Sequence, residues 1–388
     1  MQNFVHVLSQ EIAYLFSLHR RAILMLCFVP FLYTLLFGGL FYQNTVLHVP
    51  IGICNLDEGK EGNTIAKELT KISEVSVVAT SYDLNSLQNM LAKQEIYAIV
   101  VIPPDFSQRV NRYQSANIEA IANNTSTLIG KSSLTGIQSV VATYSAEKAV
   151  LNRVSTGSNL ANAQNNINLS VRNLYNSTGG YEDFFLMILS LHALQIATVF
   201  VLAPMFVHEK KLLRQRIAKY FYSTLIAKVI VYTLLVSSIM LVCMVFAINM
   251  FGLTYRSDFS DVFMLIVAFA FAMVSFALCV ASWVKKDTNA ITYTVFYIMP
   301  SVLFTGAIWP RVSMDNFSYF ISYIVPISYV ASDLRTLLLR GEAPLLHQDI
   351  LCLVIFGLIC LTLATWGLKS YLQKSSRKEL HDDSCNLA

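Results

Sequence analysis

From Phe184 to Leu372 the chain is hydrophobic almost without interruption, whereas residues 43–181 are polar, Asn-rich and patterned like a water-exposed domain. One isolated apolar run, residues 22–42, precedes that polar stretch. Apolar runs of this length must satisfy their own backbone polar groups, which in a bilayer confines them to helices. The 388 residues are 55% hydrophobic and only 13% charged, with a mean hydropathy of +0.53. Soluble domains average about 45–50% apolar and about 25% charged, so the composition places the chain in the membrane class.

A span needs about 20 mostly apolar residues. Six stretches meet that length: residues 22–42, 184–207, 224–249, 261–284, 290–308 and 349–371. The expected fold class is therefore a six-helix membrane protein with an α/β domain inserted between the first two spans. Its segments are an interfacial amphipathic helix (1–21), the first span (22–42), the extracytoplasmic α/β domain with a helical stalk (43–182), the remaining spans (183–372) and a cytoplasmic tail (373–388) whose residues 375–388 are expected to be disordered. The first span is too long for a signal-peptide core and lacks a small-residue cleavage site, so it is expected to be retained. Ahead of it, Phe4, Leu8, Ile12 and Leu15 recur at helical spacing, with Glu11, His19, Arg20 and Arg21 assigned to the polar side.

Basic residues beside the spans set the orientation. With the N-terminus inside, Arg20, Arg21, Lys210, Lys211, Arg214, Arg216, Lys219, Lys285, Lys286, Lys369, Lys374, Arg377 and Lys378 are cytoplasmic. The short outer loops then hold only Arg256, Arg311, Arg335 and Arg340. The expected site is the bacterial inner membrane, with both termini cytoplasmic, and the net charge of +4 is a topology signal that does not point to nucleic acid. Cys54 is alone in the polar domain, which excludes a disulfide within it.

Within residues 43–181, strand patterns at 49–55, 75–79, 97–102 and 118–122 alternate with helical patterns at 63–72, 83–92 and 105–113. From residue 125 to about 176 the pattern is helical and polar, with Gly157 and the Gly179-Gly180 pair as breaks. Ser158 in this stalk is expected to be reachable by label from outside.

Catalytic signatures are missing. Gly59-Lys60 is followed by Glu61 and has no upstream glycine at the P-loop offset; His208-Glu209 is no metal-binding H-E-x-x-H pattern; no nucleophile elbow occurs. Span interiors hold no Asp or Glu away from their ends, and Lys228 is expected to snorkel to the interface. Proton-driven transport is thereby disfavoured, and energy is expected from a separate ATPase.

Two uncharged polar stripes remain: His192, Gln195 and Thr198 at three-residue steps, and Thr294, Tyr297, Ser301 and Thr305 on one helical face. They either line a pathway or join helices by hydrogen bonds. The clip at 208–222 is long and charged for a connector, and either docks a partner or anchors the chain by charge alone. Gly306, Trp309 and Pro310 break the chain at the membrane edge, and Pro326 interrupts the short apolar run that follows, so residues 306–340 are expected to form a re-entrant outer hairpin.

With these residues in order, the chain resembles an ABC-2 type transporter permease of the exporter subgroup with a large domain between spans one and two. The resemblance rests on Ile51-Gly52-Ile53-Cys54-Asn55-Leu56-Asp57, Val100-Val101-Ile102-Pro103-Pro104-Asp105-Phe106, Glu209 with Lys228 and Tyr232, Gly306-Ala307-Ile308-Trp309-Pro310, and Pro326-Ile327-Ser328-Tyr329 leading to Arg335 and Arg340-Gly341. It implies a permease without its own ATPase site, paired with a second copy or a sister permease. ATP and Mg2+ would be bound by ABC ATP-binding subunits, leaving no cofactor in this chain; a periplasmic adaptor and membrane lipid are further implied partners. The cargo would be hydrophobic or amphipathic. By similarity Glu209, Lys210, Lys211 and Arg214 would couple to the ATPase, His192, Gln195, Thr294, Tyr297, Ser301 and Thr305 would line the pathway, and Gly306, Trp309, Pro310 and Pro326 would form the outer gate. Replacing Glu209 by Ala is then expected to uncouple ATP turnover from transport with the fold intact. Two positions depart from the family pattern: Leu213-Arg214 stands where a Gly-Thr pair is common, and Met314-Asp315 where Met-Pro is expected. The alternative is a membrane-anchored receptor or assembly scaffold whose outer domain binds a partner.

Overall fold

The computed structural model describes residues 2–41, 46–112, 114–123, 127–155 and 181–386. The chain divides into two compact units, residues 1–42 with 174–388, and residues 43–173. Gly157, Ser158, Gly179 and Gly180 lie outside the described residues.

The first unit opens with α1 (Gln2–Ser17) and α2 (Arg20–Phe41). The expected apolar stripe of α1 is only partly the buried one: Val7, Glu11 and Leu15 are buried, whereas Ile12 is exposed. This i, i+4, i+8 face brings an acid inward, a choice that depends on the cations it meets there.

The second unit contains β1 (Val49–Asn55), α3 (Lys60–Leu69), β2 (Val75–Ser81), α4 (Leu84–Ala92), β3 (Ala98–Ile102), α5 (Phe106–Asn111), β4 (Glu119–Ala122) and α6 (Thr127–Ser155). The strands form one sheet in the order β2-β1-β3-β4, with β1 parallel to both neighbours and β4 antiparallel to β3. Side chains alternate across a strand. Ile51 and Ile53 accordingly join Ile65, Leu69, Ile137 and Tyr144 on one face, while Cys54 joins Leu87, Ile96 and Ile99 on the other.

Past the end of β1, the buried carboxylate of Asp57 accepts from the Gly62 and Ser107 backbone N–H groups, both at 3.1 Å, and from the Ser107 hydroxyl at 2.5 Å. It thereby ties the first turns of α3 and α5 to the strand. On the α6 side, Lys148 Nζ lies 2.7 Å from Glu61, whose carboxylate also accepts from the Tyr144 hydroxyl. Burial raises the Glu61 pKa, but Lys148 and Tyr144 outweigh it and hold the carboxyl below its usual range.

The first unit resumes with α7 (Tyr181–Leu212), α8 (Arg214–Lys219), α9 (Phe221–Phe251), α10 (Phe259–Trp283), α11 (Asp287–Ile298), α12 (Asn316–Ile324), α13 (Ile327–Arg340) and α14 (Leu346–Asn386). Among the described residues, five helices are long and apolar enough to cross a membrane: Arg20–Phe41, Phe185–Leu212, Phe221–Phe251, Phe259–Trp283 and Leu346–Lys374. The stretch at 290–308, expected to be one span, is instead α11 followed by a 3-10 segment, Met299–Thr305. Pro300 removes a helical N–H and clashes with the preceding turn, and Gly306 at φ +81° then reverses the chain. The polar C-terminal residues continue α14 as helix to Asn386 rather than forming a disordered tail.

Helices α10 and α14 pack along each other, and a Cβ on Gly357 would sit 2.4 Å from the Phe271 ring, so any larger residue there forces that ring to move. Replacing Asp57 by Ala leaves two buried N–H groups and a hydroxyl without an acceptor. At a cost of about 1–3 kcal/mol for each unsatisfied buried group, Asp57→Ala is expected to lower the unfolding temperature of the 43–173 unit, measured by limited proteolysis during heating; wild-type resistance would show that the network contributes nothing.

A buried charge network as candidate functional site

Four helices and the turn between α1 and α2 bring five ionisable side chains together at one end of the first unit. Glu209, in the last turns of α7, accepts from His19 Nε2 at 2.7 Å through one oxygen and from Lys228 of α9 through the other. Lys228 also reaches Glu11 of α1 at 2.9 Å, and Glu11 accepts from Arg216 of α8 at 2.9 Å. Glu11 is 0% exposed, Glu209 1% and Lys228 5%. The Lys228 ammonium lies over the Phe206 ring and the Arg216 guanidinium over Tyr14.

Burial of this depth is tolerated only because the charges balance: two carboxylates meet two obligate cations. Lys228 therefore does not snorkel as expected; it turns inward to two carboxylates. Tyr232, one helical turn further along α9, is fully buried and packs edge-on against Phe206. Beside the network lies a cavity of about 30 Å3 lined by Phe206, Glu209, Thr224, Lys228 and Leu278, where the Thr224 hydroxyl has no partner.

The coupling candidates separate into different roles. Glu209 belongs to the network. Lys210 points the other way: its ammonium donates to the backbone carbonyls of Ala281 (2.7 Å), Ser282 (3.1 Å) and Val284 (2.8 Å), over the Tyr371 ring. These are carbonyls at the end of α10 that a helix leaves unsatisfied, so Lys210 caps that helix from α7. Lys211 pairs with Asp287 of α11 at 2.9 Å, on the exposed side. Arg214 begins α8 and is half-buried.

Of the two polar stripes, Gln195 donates to Ser301 at 3.0 Å and so joins α7 to the 3-10 segment. Thr294, Ser301 and Thr305 donate to carbonyls within their own turns, and Tyr297 donates to Ile324 O of α12. The Nδ1 of His192 and the Oε1 of Gln195 are buried without partners. At the other end of the unit, Gly306 ends the 3-10 segment and the Trp309 indole donates to Ser313 O. Pro310 precedes a short 3-10 turn, Arg311–Ser313, and Pro326 caps α13. Ser328 donates to Phe304 O at 2.8 Å, fastening α13 to the 3-10 segment.

Sequence reasoning missed Glu11 and Arg216 as members of the network. The available signal was the i, i+4 spacing of Val7, Glu11 and Leu15, which places the acid inside an otherwise apolar face. The geometry also changes the expectation for Glu209→Ala. Removing one carboxylate leaves a buried positive charge with a single acid, at a cost of about 3–5 kcal/mol. Glu209→Ala and Glu11→Ala are therefore both expected to lower thermal stability in detergent, and Glu11→Ala/Lys228→Met together to recover part of the loss. Equal, additive losses in the double variant would show that the two residues do not interact.

The chain is similar to "Probable multidrug ABC transporter permease YbhS" of Escherichia coli K12, at 27% identity over 144 residues, covering 37% of this chain and 38% of that protein. That match thus spans well under two thirds of the relative. Its similarity to "Probable multidrug ABC transporter permease YbhR" of the same strain is 21% over 339 residues, covering 84% of this chain and 86% of the relative. ABC transporter G family member 20 of Dictyostelium discoideum matches at 25% over 100 residues, 26% of this chain and 14% of its own length. A family model described as ABC-2 family transporter protein matches residues 20–366, nearly the whole of the chain. With its membrane-length helices and its match across them, this chain belongs to the ABC-2 family of transporter proteins.

Proposed function

We propose that the chain is the permease subunit of an ATP-driven exporter in a bacterial inner membrane, moving a hydrophobic or amphipathic substrate. A separate ABC ATP-binding subunit holds ATP and Mg2+ and supplies the energy, and the permease works as a pair with a second copy or a sister chain. The observation that carries this reading is the charge network itself. It joins α1, α7 and α9 beside the basic helix α8, so a force applied at α8 is transmitted to three helices at once. YbhS and YbhR are both described as probable multidrug permeases, which supports the substrate class.

In this reading both termini and α8 are cytoplasmic, residues 43–182 are outside, and 290–308 completes six crossings despite its 3-10 half. Glu209 and its neighbours 210–214 transmit nucleotide-driven closure, and the polar residues between His192 and Thr305 face the route of the substrate. Gly306, Trp309, Pro310 and Pro326 form the outer gate, and the outer domain shapes the exit or meets a periplasmic adaptor.

Purification of the tagged chain from its native host is expected to bring down an ATPase whose turnover depends on the permease. Absence of any nucleotide-hydrolysing companion would favour a scaffold role instead. Glu209→Gln, which keeps the side chain's shape, is expected to lower transport per ATP hydrolysed more than it lowers stability. A cysteine at the exposed Tyr82 is expected to react with impermeant label from outside spheroplasts; labelling from the cytoplasm alone would reverse the topology. Gly306→Val forces a branched residue into a left-handed conformation, and is expected to reduce export strongly; unchanged export would remove Gly306 from the gate.

A further inference from the structure

Of the buried uncharged polar side chains on α7, α11 and the 3-10 segment, most have already spent their hydrogen bonds. Thr198, Thr294, Ser301 and Thr305 each donate to a backbone carbonyl of their own turn. Two acceptors remain. His192 Nδ1 and Gln195 Oε1 have no partner among the described residues, in side chains that are 8% and 0% exposed. They stand three residues apart on α7, so they share one face of that helix, with Cβ atoms about 5–6 Å apart. Gln195 lies twelve residues after Asp183, which bonds Thr254, and fourteen before Glu209 of the charge network, about 18 Å and about 21 Å along the helix. The pair is therefore at mid-depth.

The hydrogen bonds around Gln195 fix which end of its amide is idle. Ser301 gives its only hydroxyl proton to Ile298 O at 2.6 Å, so towards Gln195 it can only accept, and the amide nitrogen must face it, at 3.0 Å. The idle end is the oxygen. Beside it α11 gives way to the 3-10 segment Met299–Thr305, and irregular backbone at membrane depth persists only where protein shelters it or it lines a cavity. A buried acceptor left unmet is costly, and two side by side are matched by a donor that arrives from elsewhere. We propose that His192 Nδ1 and Gln195 Oε1 form a cargo subsite that accepts hydrogen bonds from an N–H donor, best from an NH2 group, which donates to both. The subsite rests on the exporter reading above and narrows its cargo from hydrophobic or amphipathic molecules to those that carry such a donor.

Recognition at this subsite is by hydrogen bond and not by charge. Residues 184–208 and 288–305 hold no Asp, Glu, Lys or Arg, so a cationic cargo meets no counter-ion from these elements. A cargo without an N–H group covers the two acceptors and leaves them unmet, which is how a site built for hydrogen bonds rejects an analogue that lacks them. The pathway candidates thereby divide by role. Thr294, Ser301 and Thr305, whose protons are committed to the backbone, shape the wall, and Tyr297 is committed to Ile324 O. His192 and Gln195 select.

The test compares two dyes of the same skeleton and charge: rhodamine 123, which carries NH2 groups, and tetramethylrhodamine methyl ester, in which every N–H is replaced by N–CH3. Binding is read by fluorescence anisotropy on the purified full-length protein in lipid nanodiscs, after subtracting partition into empty nanodiscs. Export is then read in proteoliposomes holding the protein with its co-purified ATPase. The wild type is expected to bind rhodamine 123 about tenfold more tightly than the methylated dye. His192→Phe and Gln195→Met should each cut that preference by about threefold or more, through weaker binding of rhodamine 123. Ser301→Ala breaks the same tie between α7 and the 3-10 segment but keeps Gln195 Oε1, and should retain the preference. Equal affinity for both dyes, or none for either, overturns the proposal and leaves water or a second copy of the chain as the donor. A preference that survives both His192→Phe and Gln195→Met overturns it too, and a loss in Ser301→Ala as large as in Gln195→Met would reduce Gln195 to the tie alone. Preferential binding of rhodamine 123 without ATP-driven export of either dye would keep the subsite and sink the exporter reading.

Discussion

Charge balance without water is the constraint on which the network end of the membrane unit depends. Glu11, Glu209, Lys228 and Arg216 come from four different helices, and each buried charge is compensated only while the other three are in place. Isolated, a buried carboxylate or ammonium is prohibitively costly; paired and hydrogen-bonded, it ties the elements that carry it into one mechanical piece. The network thus explains why α1, a helix that could otherwise lie anywhere along an apolar surface, has one register against α9: only one face brings Glu11 to Lys228 and Arg216.

The same economy of unsatisfied groups shapes the neighbouring elements. A helix ends with carbonyls that have no partner, and in α10 these are met by Lys210 rather than by solvent. The ammonium of one helix thereby holds the terminus of another, while its sequence neighbour Glu209 joins a different set of helices. Adjacent residues on α7 point about 100° apart, so a single turn of α7 connects both to α1 and α9 and to α10.

Much of the fold was legible from residue patterns. Apolar, β-branched-rich runs at 49–55 and 97–102, separated by turn and helix signals, identify a sheet with helices, and β1 and β3 form within a residue of those bounds. The apolar runs likewise predict the membrane-length helices, except at 290–308, where length and hydropathy suggested a span and Pro300 converts its second half to 3-10 structure. Hydropathy averages over a window and does not register a single missing N–H. The candidate site was legible in part: Glu209 and Lys228 stand out as charges at the ends of apolar runs, whereas Glu11 was assigned to the polar face of α1, because its partners are about 200 residues away in sequence.

The amino-acid sequence by itself determined that this polypeptide lives in a bilayer, where its apolar helices begin, that a polar unit with a sheet separates the first from the rest, and which family motifs it carries. These are local properties, set by hydropathy, periodicity and turn chemistry within windows of about twenty residues. Only the tertiary structure decided which charges are solvated and which are buried, that Glu11 and Glu209 share one lysine, and that Lys210 serves a distant helix end. Each of those depends on side chains remote in sequence arriving at the same place, and the free energy of a buried charge is fixed by what arrives beside it.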